Sequence, residues 1–97
     1  MTVDEFRATL SGGEPPPGVS ATLRALWLDG KGDWAGAHGL VDDLDTTEAM
    51  RVHAYLHRKE GDVSNARYWY GRAGTEPSLL PLDREWERLV RDLLQVR

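Results

Sequence analysis

Three histidines and a glutamate are the residues whose types and spacing are best suited to chemistry. His53, His57 and Glu60 stand at i, i+4 and i+7, which puts them on one face of a helix. His38, on the preceding predicted helix, can approach them in the fold. Two imidazoles and a carboxylate can ligate zinc or iron and leave a coordination position open for water activation. The competing reading is packing, in which an inward imidazole hydrogen-bonds a neighbouring tyrosine, tryptophan or carboxylate. No HExxH or related metal signature accompanies these residues.

Other motifs carry less. Gly30-Lys31-Gly32-Asp33-Trp34-Ala35 matches the spacing of a dinucleotide-binding turn, but that turn needs a preceding strand and here a predicted helix precedes it. Tyr68-Trp69-Tyr70, between Arg67 and Arg72, has the composition of a base-stacking platform. Successive helical residues point about 100° apart, so the three rings cannot share a face, and most of them are expected in the core with one exposed. Trp27, Trp34, Trp69 and Trp86 fall one to a predicted helix, the placement of large anchors between elements. There is no Walker loop, no G-x-S-x-G elbow and no cysteine, so no catalytic residue is assigned and no cofactor is expected.

The elements that must position these groups read as helices throughout. Thr2 and Glu5 form a capping-box pattern ahead of a short helix over residues 3–10. Pro15-Pro16-Pro17 then makes a stiff connector, more suited to a spacer than to recognition by a proline-binding domain. Ser20 caps a second helix with Leu23, Leu26 and Trp27 on one stripe, and Trp34, Ala37, Leu40, Val41 and Leu44 mark a third. Asp45, Thr46 or Thr47 caps a fourth, which carries Met50, His53, Ala54, Leu56 and His57. A fifth runs from Val63 to Ala73, with Gly74 at a left-handed cap. After Pro77 and Pro81 a sixth helix is predicted to continue to Arg97. Its buried stripe holds Trp86, Leu89, Val90 and Leu93, with Glu87–Arg91 and Arg88–Asp92 as exposed four-apart pairs. No segment alternates with the period of a strand.

Shifting the chain by 29 residues superposes Ala25 on Ala54, Gly32-Asp33 on Gly61-Asp62, and Ala37 on Ala66. The Gly-Asp pair ends one helix and starts the next, and the alanines allow close helix approach. Ala54, Gly61-Asp62, Ala66, Tyr70 and Ala73 resemble the tetratricopeptide repeat, and residues 53–73 are similar to small bacterial proteins of that type. The resemblance implies an all-α fold, a right-handed array of antiparallel helical hairpins. Residues 1–19 are the N-terminal helix and Pro-rich connector, 20–44 a weak repeat, 46–74 a clear repeat and 81–97 a C-terminal capping helix. The spacing is 29 rather than the family's 34, and there are two units where at least three are usual, which implies a small site rather than a long groove.

By the same resemblance the groove-facing positions are Glu48, Arg51, Tyr55, Arg58 and Lys59. Three cations around one ring can hold a carboxylate-bearing peptide, and a solvated basic face is the plain alternative. The family register also places His53 and His57 at inward packing positions.

Composition bounds the rest. Ninety-seven residues, 40% hydrophobic and 29% charged, suffice for one core without metal or disulfide staples. Residues 1–50 carry three Lys/Arg against nine Asp/Glu, a net charge of −6, and residues 51–97 carry nine against seven, a net of +2. This balance argues against nucleic-acid binding. No stretch has the length or apolarity of a membrane span or a secretory leader, so no membrane partner and a cytoplasmic location are expected. The expected role is a non-catalytic protein-interaction module binding an acidic or carboxylate-bearing protein segment. A metal-binding protein or metal-dependent enzyme using His53, His57 and Glu60, with His38, is the alternative. Homo-oligomerisation through an incompletely capped repeat face is compatible with either.

Overall fold

Residues 1–95 are described by the computed structural model, and every regular element among them is helical: α1 (Val3–Ala8), a 3-10 turn (Thr9–Ser11), α2 (Ala21–Gly30), α3 (Trp34–Val41), α4 (Thr47–Glu60), α5 (Val63–Ala73) and α6 (Leu82–Leu94). The predicted continuation of α6 through Val96 and Arg97 lies outside the described residues. Helix starts carry their own acceptors. Thr2 and Glu5 form the capping box, and Ser20, Asp33, Thr46 and Asp62 each accept from the backbone amide three residues on, which satisfies donors that the helix itself leaves open. Pro81 precedes α6 without a side-chain cap. The first helix is shorter than the predicted 3–10, because its last turn tightens into the 3-10 form.

The 29-residue repeat is visible in the backbone hydrogen bonds. At the first Gly-Asp turn, Gly32 N donates to Asp29 O and Asp33 N to Leu28 O. At the second, Gly61 N donates to Arg58 O and Asp62 N to His57 O, all at 2.9–3.1 Å. Gly32 and Gly61 have φ of 87° and 92°, a conformation that strains any residue with a Cβ. Each aspartate then caps the next helix. These turns fold α2 onto α3 and α4 onto α5, the two most extensive helix pairings. Ala25, Ala37, Ala54 and Ala66 are all buried in them, as close approach requires.

The main core gathers Phe6, Leu26, Trp27, Val41, Val52, Leu56, Trp86, Leu89 and Val90 from five helices, and α6 packs against α1, α2 and α4. The indoles act as anchors between elements. Trp27 Nε1 donates to Thr9 Oγ1 (3.1 Å), Trp34 Nε1 to Leu56 O (2.7 Å) and Trp86 Nε1 to Leu26 O (2.9 Å). Lys31 ties down the start of the proline connector by donating to Leu10 O and Gly12 O. Of the Tyr68-Trp69-Tyr70 run, Tyr70 is buried, Trp69 half-buried and Tyr68 exposed.

The surface pairs on α6 differ from the expected ones. Glu87 binds Arg7 (2.7 Å) and Arg84 (3.2 Å) rather than Arg91, and Asp92 binds Arg51 of α4 (3.0 Å) rather than Arg88. Arg7 and Arg51 reach these acids from packed neighbours, and Arg84 reaches Glu87 from one turn earlier on α6 itself, in place of the four-apart partners.

The glycines give a test of this backbone account. Gly39 lies exposed within α3 with nothing near an added Cβ, so Gly39→Ala is expected to stabilise by roughly 0.5–1 kcal/mol. Gly61→Ala, at φ 92°, is expected to destabilise by about 1 kcal/mol. Urea unfolding at equilibrium measures both.

Candidate functional site

The five residues expected to line a groove are distributed by the fold among different partners. Tyr55 is buried, and its hydroxyl donates to Asp29 Oδ2 (2.7 Å) while Lys59 donates to Asp29 Oδ1 (2.8 Å). Arg58 donates to Glu85 Oε1 (2.7 Å) and to Leu80 O (2.6 Å), and Arg51 pairs with Asp92. Glu48 lies in the first turn of α4, beside a separate hollow bounded by Thr46, Leu93 and Leu94. Three cations do not converge on the Tyr55 ring. Each is met by a carboxylate of its own chain contributed from α2 or α6.

Asp29 and Glu85, 3% and 5% exposed, are the acids that sequence reasoning missed. Glu85 accepts from Arg58 and from the Tyr70 hydroxyl, so one buried carboxylate joins α4, α5 and α6. Burial, then the hydrogen bonds to Glu85 and Asp29 respectively, raises the Tyr70 and Tyr55 hydroxyl pKa values far above the ordinary range; both stay protonated as donors. One signal was present: Glu85 stands one turn before Leu89 and directly before Trp86, on the edge of the stripe that α6 buries.

What the fold leaves open lies beside this network. Arg51, exposed Arg88 and Glu85 line a cleft of about 440 Å3 with exposed Glu76 and with Leu79 and Leu80 of the α5–α6 loop. Leu79 is 96% exposed. Arg88 makes no ion pair among the described residues, and the Arg51–Asp92 pair is itself partly in water.

The histidines, in contrast, converge. His38 of α3 meets His53 and His57 of α4, with His38 Nε2 and His53 Nε2 3.1 Å apart and the three candidate ligand atoms within 4.8 Å of one another. Trp34 stacks on His38 (4.9 Å between centroids, 9°) and Trp69 on His53 (4.0 Å, 17°). His53 and His57 are buried, as the packing register implies, and His38 is partly open. Glu60 bonds Nδ1 of His57 at 2.6 Å, so it orients the ring. Burial, and then the charges of His57 and His38, push His53 down to about 4 against a smaller opposing effect of Asp42; it is neutral near pH 7.

Two outcomes follow. Glu85→Ala strands Arg58 and Tyr70 without their acceptor and is expected to cost roughly 3–5 kcal/mol in urea unfolding. For His53, the depressed folded pKa means that the unfolded chain binds a proton between pH 6.5 and about 4 that the folded chain refuses. Its contribution to stability is complete above pH 6.5 and falls on acidification, by roughly 3 kcal/mol at pH 4. Urea unfolding with EDTA at pH 7 and pH 4 reads this, and His53→Phe is expected to remove that part of the difference. No family model, no curated protein and no solved structure matches this chain.

Proposed function

We propose that the chain is a tetratricopeptide-like, non-catalytic interaction module that takes an acidic or carboxylate-terminated protein segment. The observation that carries this reading is the cleft beside α6, where Arg51 and Arg88 face an open volume and Leu79 stands almost wholly in water. Arginine binds carboxylate through two parallel N–H donors, and an exposed leucine beside such a pair offers apolar area to the segment's aliphatic side chains. The half-buried Asp92 already pairs with Arg51; an incoming carboxylate would take its place at modest cost, since an ion pair partly in water stabilises by only about 1 kcal/mol. Glu85 does not repel such a ligand strongly, because Arg58 and Tyr70 already engage its oxygens. The proposed site thus keeps Arg51 from the groove implied by the tetratricopeptide resemblance and adds Arg88. Arg58 supports it from within the fold through Glu85 and Leu80, whereas Tyr55 and Lys59 are engaged by Asp29.

The test is fluorescence polarisation with a panel of labelled peptides ending in Asp or Glu and carrying aliphatic residues before the terminus. Saturable binding by members of the panel is expected, weakened at least about tenfold by Arg51→Gln with Arg88→Glu, a loss of about 1.4 kcal/mol. Thermal stability of that variant is expected to stay within about 1 kcal/mol of the parent. Absence of saturable binding across the panel, or equal binding by the variant, would overturn the reading.

A further inference from the structure

The three histidines at the junction of the two hairpins are not used by the peptide cleft. We propose that His38, His53 and His57 form a binding site for one divalent late first-row transition ion, zinc foremost, and that the ion clamps the first hairpin to the second.

Geometry is the first support. Imidazole nitrogens bind such ions at about 2.0–2.1 Å, which sets two ligands of one ion roughly 3.0–3.4 Å apart, from octahedral to tetrahedral angles. His38 Nε2 and His53 Nε2 stand 3.1 Å apart, and a nitrogen of His57 lies within 4.8 Å of both. A hydrogen bond between two neutral imidazoles accounts for one proton and one lone pair and leaves His57 outside. An ion held by the His38–His53 pair draws the His57 nitrogen in to the same spacing and so engages all three rings.

Orientation is the second. Glu60 holds His57 Nδ1 at 2.6 Å, the carboxylate–histidine pairing that fixes the tautomer and frees Nε2 to bind an ion. Trp34 fixes the plane of His38 and is itself held by its bond to Leu56 O; Trp69 fixes His53 from the other side. These contacts place the rings before any ligand arrives.

The third support is what packing fails to explain. Three imidazoles, two of them buried, stand together in a core that has leucine, valine and phenylalanine available, which is costly unless the cluster serves a ligand.

The open side completes the site. His38 is 23% exposed at its side chain, and Asp42 Oδ1 approaches its Nε2 to 3.8 Å. Asp42 or a solvent oxygen is therefore the fourth donor. Three nitrogens with one oxygen suit zinc, cobalt, nickel or copper and not calcium or magnesium, which require oxygen ligands. The neighbouring group of His57, Glu60 and Asp62 is not the site, since the Asp62 carboxylate caps α5 and Glu60 is bound to His57.

Tag-free protein stripped with EDTA and dialysed, then titrated with zinc chloride by calorimetry and with cobalt chloride by visible absorption, tests the proposal. Saturation at one equivalent is expected, together with a raised midpoint of thermal unfolding and, on adding copper, quenching of the fluorescence of Trp34 and Trp69. His38→Gln changes a partly exposed residue, so its fold, checked by circular dichroism, is expected to persist while its affinity falls by at least about 100-fold. Glu60→Gln is expected to weaken binding about 10–100-fold without changing the stoichiometry. Failure of the parent protein to saturate at one equivalent, or undiminished affinity in His38→Gln, would overturn the site. Neither result bears on the cleft beside α6, which shares none of these residues.

Discussion

The carboxylate of Glu85 is taken out of water, and the arrangement of the second half of the molecule follows from the need to satisfy it. A buried carboxylate is tolerable only when donors surround it. Here the donors are the Arg58 guanidinium and the Tyr70 hydroxyl, so α4, α5 and α6 must meet at one point. The same requirement at Asp29, met by Tyr55 and Lys59, joins α2 to α4. Apolar packing supplies the driving force for collapse, but it is non-directional. These two acids select one relative placement of the helices.

That placement has a functional consequence. By docking on α4, α6 brings Glu85 and Asp92 against the arginines that a groove between hairpins would offer a partner. α6 thus occupies most of the expected surface, and the open cleft lies at the edge where Arg51 and Arg88 stand beside the loop before α6. The α3–α4 junction does the opposite. His38, His53 and His57 turn toward one another between two indoles instead of pairing with distant acids, apart from the Glu60 contact. One polar cluster is internally neutralised and the other is a set of lone pairs.

The local structure was largely legible in the sequence. The capping acceptors Thr2 and Ser20, the Gly-Asp turns at 32–33 and 61–62, the left-handed Gly74 and the 29-residue offset appear where residue type and spacing place them, and Thr46 is the cap among the three candidates before α4. Caps and turns involve atoms within five residues of one another, so the chain itself carries the information. The polar site was only partly legible. His53 and His57 were identified as an inward pair and His38 as a neighbour, because helical period and hairpin order bring them near. Glu60 shares their face by spacing, and in the fold its oxygen meets His57 Nδ1; spacing gives the face of a helix and not which ring nitrogen a carboxylate meets.

By itself the sequence determined the helices, most of their starts, their pairing into two hairpins and which faces are apolar, since short-range hydrogen bonding and side-chain periodicity decide those. Where α1 and α3 stop it did not give, since α1 tightens after Ala8 and α3 ends at Val41, before Leu44. Only the tertiary structure decided which charges remain available. Tyr55 finds Asp29, Arg58 finds Glu85 and Arg51 finds Asp92 across 26 to 41 residues, and no local rule predicts such partners, because they depend on how the packed helices rotate and slide against each other. The physical reason is reach. An ion pair forms within about 4 Å, a distance set by three-dimensional packing and not by separation along the chain.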